Sequence, residues 1–165
     1  HSLFTGVSLL ITFGCAPSVE PTLPNLPVYC EIDLNSAEAK DLRTEGGWMR
    51  IDRPYTAVTH IGFGGLLVLH SPITDGNGNA FFAYDAACPV ERARDVRLSV
   101  NDKLNAYCPK CGNEFSILYG GGNPLTEGNK LPMRRYAVYR DGTMLIIRNY
   151  LWHAVSSPSR FFCFS

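Results

Sequence analysis

Residues 86–115, AACPVERARDVRLSVNDKLNAYCPKCGNEF, hold three of the six cysteines. Cys88 and Cys108 are each followed directly by a proline, and the second of these turns also contains Cys111 and then a glycine. Two Cys-Pro turns separated by a short insert are typical of a metal or iron-sulfur pocket. The stretch therefore predicts a cysteine site built from two turns.

The composition indicates one β-rich domain and gives no electrostatic reason to expect nucleic acid as a partner. A chain of 165 residues has the length of one domain with its own core. Fifteen basic residues balance fifteen acidic ones, so no basic surface for nucleic acid is expected. Fifteen glycines and eleven prolines, spread among aromatic and β-branched residues, favour a loop-rich β architecture.

The first 27 residues predict an exported, lipid-anchored protein. Residues 3–14, LFTGVSLLITFG, have the length of a signal-peptide hydrophobic region and fall short of the ~20 residues that a membrane-spanning helix needs. They end at Cys15, and this order resembles the lipobox of bacterial lipoproteins, in which the cysteine becomes the lipid-modified N-terminus. The alternative is a buried apolar strand that ends at an ordinary cysteine. Residues 16–27, APSVEPTLPNLP, contain four prolines and predict a tether.

The predicted organisation is a signal-like segment at 1–15, the tether at 16–27, a β domain at 28–149 and a tail of uncertain structure at 150–165. Alternating residues at 28–34 predict a strand with Cys30 on its buried face, where it is a small apolar residue and not a ligand. His60 and His70 are likewise predicted to be structural. A short helical turn is predicted at 37–42, and further strands at 48–51, 55–61, 66–70, 80–84, 97–100, 104–107, 114–119, 134–139 and 144–148.

The order of hairpins and cysteine turns over residues 64–149 resembles the Rieske iron-sulfur domain. That family has the pattern C-x-H, a spacer of about sixteen or seventeen residues, and then C-x-x-H-G. This chain has Cys88-Pro-Val90, seventeen residues, and Cys108-Pro-Lys-Cys111-Gly. The resemblance implies an all-β fold, a Rieske-like antiparallel β-sandwich with a rubredoxin- or zinc-ribbon-like cysteine subdomain. It also implies a 2Fe-2S cluster as the cofactor.

The ligand positions of the family are only partly kept. Carried over position by position, Cys88 and Cys108 match the two cysteine ligands, Cys111 stands at the second histidine position and Val90 at the first. A valine side chain has no electron pair to donate, so the resemblance implies a cluster in which one iron lacks a protein ligand.

Three interpretations of the cysteine site remain open. In the first, the site holds a metal such as zinc, with Glu91 as a carboxylate ligand beside the three cysteines. In the second, Cys88 and Cys108, or either of them with Cys111, form a disulfide in an oxidising compartment. In the third, an iron-sulfur cluster assembles with incomplete protein ligation. Zinc, or no metal, is more compatible with the residues than a standard cluster.

The predicted function is that of a cell-envelope protein, held at the membrane by a lipid on Cys15, whose domain lies outside the cytoplasm. The domain serves as a binding or structural module without a working Rieske cluster. The alternative is an iron-sulfur electron-transfer protein similar to Rieske ferredoxins, either a carrier or a component of an oxidoreductase system. Enzymatic activity of the chain alone is not expected, although Lys110 beside Cys111 gives a catalytic thiol as a third hypothesis.

Overall fold

The computed structural model describes residues 21–149, which fold into antiparallel β-sheets with one short 3₁₀ helix, Lys40–Arg43. The strands are β1 Val28–Asp33, β2 Trp48–Ile51, β3 His60–Ile61, β4 Leu66–His70, β5 Phe81–Asp85, β6 Ser99–Val100, β7 Asn105–Tyr107, β8 Glu114–Ser116, β9 Asn123–Pro124, β10 Arg135–Asp141 and β11 Met144–Arg148. Within these residues no helix has the length and apolar character needed to cross a bilayer.

The larger sheet has seven strands in the order β2-β4-β5-β10-β11-β1-β3, and every pairing in it is antiparallel. Strand β10 joins its two halves, because it pairs with β11 over most of its length and with β5 through Arg135 and Tyr136. The two halves face each other across one core, whose buried residues come from both of them. The predicted antiparallel β-sandwich is confirmed.

The first core shows why β1 forms where the sequence predicts it. Val28, Cys30 and Ile32 are buried, whereas the residues between them are more exposed, as the period of a half-buried strand requires. Burial raises the pKa of the Cys30 thiol to about 12. The prediction that Cys30 is a small apolar core residue is therefore confirmed.

Strands β4 and β5 are buried on both faces, which explains their unbroken apolar sequences. Leu66 and Val68 face the first core, whereas Leu67 and Leu69 face a second core. The other wall of the second core is the smaller sheet, with strand order β6-β7-β8-β9. The second cysteine turn follows β7 of this smaller sheet, and the first lies between β5 and β6, so the predicted cysteine subdomain is also confirmed.

One predicted strand is largely wrong. Of residues 55–61 only His60–Ile61 pairs as a strand, and it lies at the edge of the larger sheet. Residues 55–58 are exposed and lead into a turn, in which the Thr59 amide donates to the Thr56 carbonyl. Pro54 precedes this segment, and no strand within residues 21–149 pairs with residues 55–59, so they make no cross-strand hydrogen bonds there.

The described part of the predicted tether lies against the domain. Leu23 is buried, and the Arg134 guanidinium donates hydrogen bonds to its carbonyl oxygen. The Thr22 hydroxyl donates to the Pro89 carbonyl at 2.8 Å, so the chain enters the domain beside the first cysteine turn. The predicted lipid site at Cys15, the signal-like segment and the tail 150–165 lie outside the described residues.

Candidate metal centre

Two turns of the same shape bring the cysteines together. We call residues 88–92 the first cysteine turn and residues 108–112 the second. In the first turn the Arg92 amide donates to the Cys88 carbonyl at 3.0 Å, and in the second the Gly112 amide donates to the Cys108 carbonyl at 2.9 Å. The fifth residue has a positive φ in both turns, 52° at Arg92 and 73° at Gly112. Glycine adopts this conformation without strain, whereas arginine does not.

The structure places the three predicted cysteine ligands at one point. The sulfurs of Cys88, Cys108 and Cys111 all lie within 4.8 Å of one another, and the Cys88 and Cys111 sulfurs are 3.7 Å apart. A disulfide bond is about 2.05 Å long, and all three thiols are free in the structure. Within residues 21–149, Cys30 is the one further cysteine, and it lies in the first core.

Cys88 is fully buried, and burial raises the pKa of its thiol to about 12. The backbone N–H groups of Glu91 and Val90 hydrogen-bond to its sulfur and oppose this rise. Such amides stabilise a thiolate because they point positive charge at it. These amides would stabilise a thiolate at Cys88, although burial outweighs them and the thiol keeps its proton at neutral pH.

Cys111 is more exposed, and its thiol has the opposite tendency. Burial by itself would raise its pKa, but hydrogen bonds from the backbone and side-chain N–H groups of Asn113, and from the neighbouring thiols, outweigh burial and lower it. The Asn113 amide nitrogen lies 3.2 Å from the sulfur. The site thus contains one thiol with a lowered pKa beside a buried thiol with a raised pKa.

Val90 and Glu91, the two other positions that the sequence singled out, have different surroundings. Val90 packs against the second core, so the position of the first Rieske histidine holds an apolar contact. The Glu91 carboxylate is 18% exposed and pairs with the Lys110 ammonium at 2.6 Å. This pairing raises the pKa of Lys110. The ligand group itself, with its atoms within 4.8 Å of one another, consists of the three cysteines.

A buried carboxylate that the sequence analysis missed holds the first cysteine turn in place. Asp85 ends β5, three residues before Cys88, and has no exposed surface. Its oxygens accept four hydrogen bonds of 2.8 to 2.9 Å, from the amides of Phe63, Gly64 and Ala87 and from the Tyr136 hydroxyl. The sequence offered one signal for this role, an aspartate at the end of the otherwise apolar segment FFAYD. A carboxylate buried there requires hydrogen-bond donors around it.

The loop opposite Asp85 approaches the first cysteine turn so closely that it needs glycine. A side chain at Gly64 would place its Cβ 2.4 Å from the Cβ of Ala87, the residue before Cys88. The Arg97 side chain also donates to the Gly64 carbonyl at 2.8 Å. The glycine-rich segment 62–65 is therefore a packing turn that supports the first cysteine turn.

Both described histidines lie on the larger sheet, outside the ligand group. The His70 ring nitrogen Nδ1 lies 2.7 Å from the Leu42 carbonyl oxygen, and the ring stacks on Phe81 with centroids 4.2 Å apart. His60 is opposite Tyr29 in the β1–β3 pair. In the described part of the chain, the potential metal-ligand atoms that lie close together are the three thiol sulfurs.

No protein-family model and no curated protein matches the chain. Two solved structures are similar to it. One is the ferredoxin of carbazole 1,9a-dioxygenase from Nocardioides aromaticivorans IC177, with 20% identity and a TM-score of 0.42 over 63% of this chain and 86% of that one. The other is a chain from the complex of reduced oxygenase and oxidized ferredoxin in carbazole 1,9a-dioxygenase, with 17% identity and a TM-score of 0.41 over 63% and 90%. At these values the similarity carries no argument about function.

Proposed function

We propose that this domain is a binding or structural module that holds one tetrahedral metal ion, zinc by its ligand preference, on Cys88, Cys108 and Cys111. The observation that carries the proposal is the convergence of three free sulfurs within 4.8 Å of one another. The rest of the site supports it, because each turn has the closing hydrogen bond and the positive φ that let a Cys-Pro turn fold around a cation.

The sulfur spacing fits a single ion. Sulfurs bound to one tetrahedral zinc, with Zn–S bonds of ~2.3 Å, lie ~3.8 Å apart. The Cys88 and Cys111 sulfurs are separated by 3.7 Å, and Cys108 lies within 4.8 Å of both. Only a small closure around Cys108 is needed for three equal bonds. Zinc also accepts carboxylate and water oxygens, so a set of three thiolates is chemically adequate.

The same spacing does not fit a Rieske cluster. Such a cluster has two irons, with the cysteines on one iron and the histidines on the other, so ligands of different irons are separated by the cluster itself. In this chain Cys111 stands at a position for the second iron, yet its sulfur is 3.7 Å from Cys88, which stands at a position for the first. Val90, at the remaining position, packs against the second core.

The location of the site gives the ion a structural role. Cys88 follows β5 of the larger sheet, whereas Cys108 and Cys111 follow β7 of the smaller sheet. An ion bound to all three connects the two sheets at the edge of the second core. Because the unfolded chain has no preformed site, binding free energy at such a site adds directly to the stability of the fold.

Metal analysis of freshly purified full-length protein tests this proposal. The chain is produced in a host that assembles iron-sulfur clusters, and its zinc, iron and acid-labile sulfide are measured together with its visible spectrum. We expect about one zinc per chain and no cluster absorbance. Two irons per chain with matching sulfide would overturn the proposal and favour the electron-transfer alternative, whose support is the spacing of the two turns. Metal-free protein with a disulfide among the three cysteines would also overturn it.

We also propose the cellular setting, an exported domain anchored to a membrane of the cell envelope by a lipid on Cys15. The apolar segment 3–14 and the proline-rich residues after the cysteine support this proposal. Metabolic labelling with a radioactive fatty acid in a bacterial host tests it. We expect label in the wild-type chain and none after Cys15→Ser, which should also leave the membrane fraction. Equal membrane association of the two chains would overturn it.

A further inference from the structure

We propose that Glu91 is the fourth ligand of this metal site and that Lys110 holds its carboxylate aside until the ion binds. The inference rests on the proposed single-ion function and adds to it the completing ligand and its competitor. Its basis is the equivalence of the two cysteine turns together with the pairing of Glu91 with Lys110.

The equivalence places Glu91 where the second turn has a ligand. Counting from the first cysteine of each turn, both turns have proline second, a closing amide fifth and a positive φ at that fifth residue. The fourth residue is Cys111 in one turn and Glu91 in the other. Because the backbone course is shared, the side chain at position 91 starts from a place corresponding to that of Cys111. A glutamate side chain is longer than a cysteine side chain and can reach inward from there.

In the structure the Glu91 carboxylate forms an ion pair with Lys110. The Lys110 ammonium lies 2.6 Å from Glu91, and its side chain is 62% exposed, whereas that of Glu91 is 18% exposed. The Glu91 carboxylate therefore has an exposed cationic partner and lies outside the group that the three sulfurs form, so it must turn inward to reach the ion. An exposed ion pair of this kind is weak compared with a zinc–carboxylate bond.

Metal binding replaces the contact between Glu91 and Lys110 with a bond between Glu91 and the ion. The three thiols release their protons to solvent, because metal ligands must be deprotonated, and the Glu91 carboxylate leaves Lys110 for the ion. The result is a closed site with four protein ligands, as structural zinc sites have. Lys110 then remains beside a site of three thiolates and one carboxylate, whose net charge with Zn²⁺ is negative.

The substitution Glu91→Cys tests whether residue 91 reaches the ion. Full-length protein is loaded with Co²⁺, whose thiolate charge-transfer absorption in the near ultraviolet grows with the number of bound sulfurs. We expect the variant to absorb about one third more strongly than wild type, since four thiolates replace three, and we expect its new thiol to resist alkylation. An unchanged intensity with a freely alkylated residue 91 would overturn the inference.

A double-mutant cycle tests the part played by Lys110. Zinc affinity is measured by competition with a chromophoric chelator for wild type, Glu91→Gln, Lys110→Gln and the double variant. We expect Glu91→Gln to weaken binding at least about tenfold and Lys110→Gln to strengthen it about two- to fivefold. In the double variant the gain from Lys110→Gln should disappear. If the gain persists in full without the Glu91 carboxylate, competition for that carboxylate is not its cause and the inference about Lys110 is refuted.

Asp95→Asn is the matched control, because Asp95 is an exposed acid in the same loop whose charge also acts on Lys110. We expect this variant to change zinc affinity less than about threefold. A loss equal to that of Glu91→Gln would show a general charge effect and overturn the inference. The proposed function fails separately, if wild-type protein binds neither Zn²⁺ nor Co²⁺ through its three cysteines.

Discussion

The two cysteine turns share their backbone but differ in the residues that end them. The second turn ends in Cys111 and Gly112, a thiol and a residue for which a φ of 73° is free of strain. The first ends in Glu91 and Arg92, a carboxylate and a residue that holds a φ of 52° against its preference. The first turn also has the buried Asp85 behind it. The second turn is therefore determined by its own sequence, whereas the first depends on its surroundings.

The largest expected effect comes from removing the buried thiol that begins the first turn. Cys88→Ser should abolish zinc-dependent stabilisation, which is about 4 kcal/mol when zinc is a thousandfold above its Kd. Thermal melts with and without zinc measure it. Cys30→Ala serves as the control, because it also removes a buried thiol but leaves the three ligands intact. A Cys88→Ser protein that zinc still stabilises to the wild-type extent would contradict the site.

Loss of the carboxylate behind the first turn should have the next largest effect. Asp85→Ala leaves the amides of Phe63, Gly64 and Ala87 buried without their acceptor, and we expect a loss of about 3 kcal/mol in the free energy of unfolding. Urea denaturation measures this loss. Tyr136→Phe removes only one of the four hydrogen bonds and should cost about 1 kcal/mol. Equal losses in the two variants would mean that the amides do not depend on Asp85.

A smaller effect separates the fifth residues of the two turns. Gly112→Ala introduces a side chain at a φ of 73° and should cost about 1 kcal/mol in the free energy of unfolding. Space is not the cause, since a Cβ at Gly112 meets no atom within 4 Å. Arg92→Gly should change stability by less than about 0.5 kcal/mol, because relief of the positive φ is offset by the greater freedom of glycine in the unfolded chain. A large loss from Arg92→Gly would show that the arginine side chain itself supports the first turn.

The two turns also differ in the reactivity of their thiols, which is measured by alkylation and not by the free energy of unfolding. In metal-free, reduced protein at pH 8, Cys111 should react with iodoacetamide before Cys88 and Cys30, since its pKa is lowered while theirs is raised to about 12. Its alkylation rate should level off once the pH exceeds this lowered pKa, whereas the rates of the two buried thiols should still rise. Peptide mass mapping over time measures the order. Faster labelling of Cys88 than of Cys111 would contradict the described environments.

Local patterns in the sequence predicted most of the strands and the ligand group. Alternation placed Cys30 in the core, and the spacing of the Cys-Pro turns singled out Cys88, Cys108 and Cys111. These features succeed because each depends on residues a few positions apart, whose geometry the backbone fixes. The ligand role of Glu91, which rests on spacing, stays a prediction.

Contacts between distant segments were not predictable in this way. Asp85 meets an amide 22 residues earlier and a hydroxyl 51 residues later. Arg134 binds the carbonyl of Leu23, a residue 111 positions away within the predicted tether. Asn113 lies two residues from Cys111, yet its amide reaches the sulfur only because the second cysteine turn folds back. A single sequence shows which polar groups are present, but it does not show which hydrogen-bond partner each of them has.

Residue patterns alone predict an antiparallel β domain with two Cys-Pro turns, and neither turn contains a histidine. Both conclusions follow from the order of residues. The alternation of apolar and polar residues predicts the two faces of a strand, and the absence of histidine from the turns is read directly from the sequence. Three further features depend on the folded chain: the three sulfurs meet within 4.8 Å, Glu91 pairs with Lys110, and Asp85 holds the first turn in place. Those outcomes depend on how two sheets pack around the second core, and packing joins residues that the sequence keeps apart.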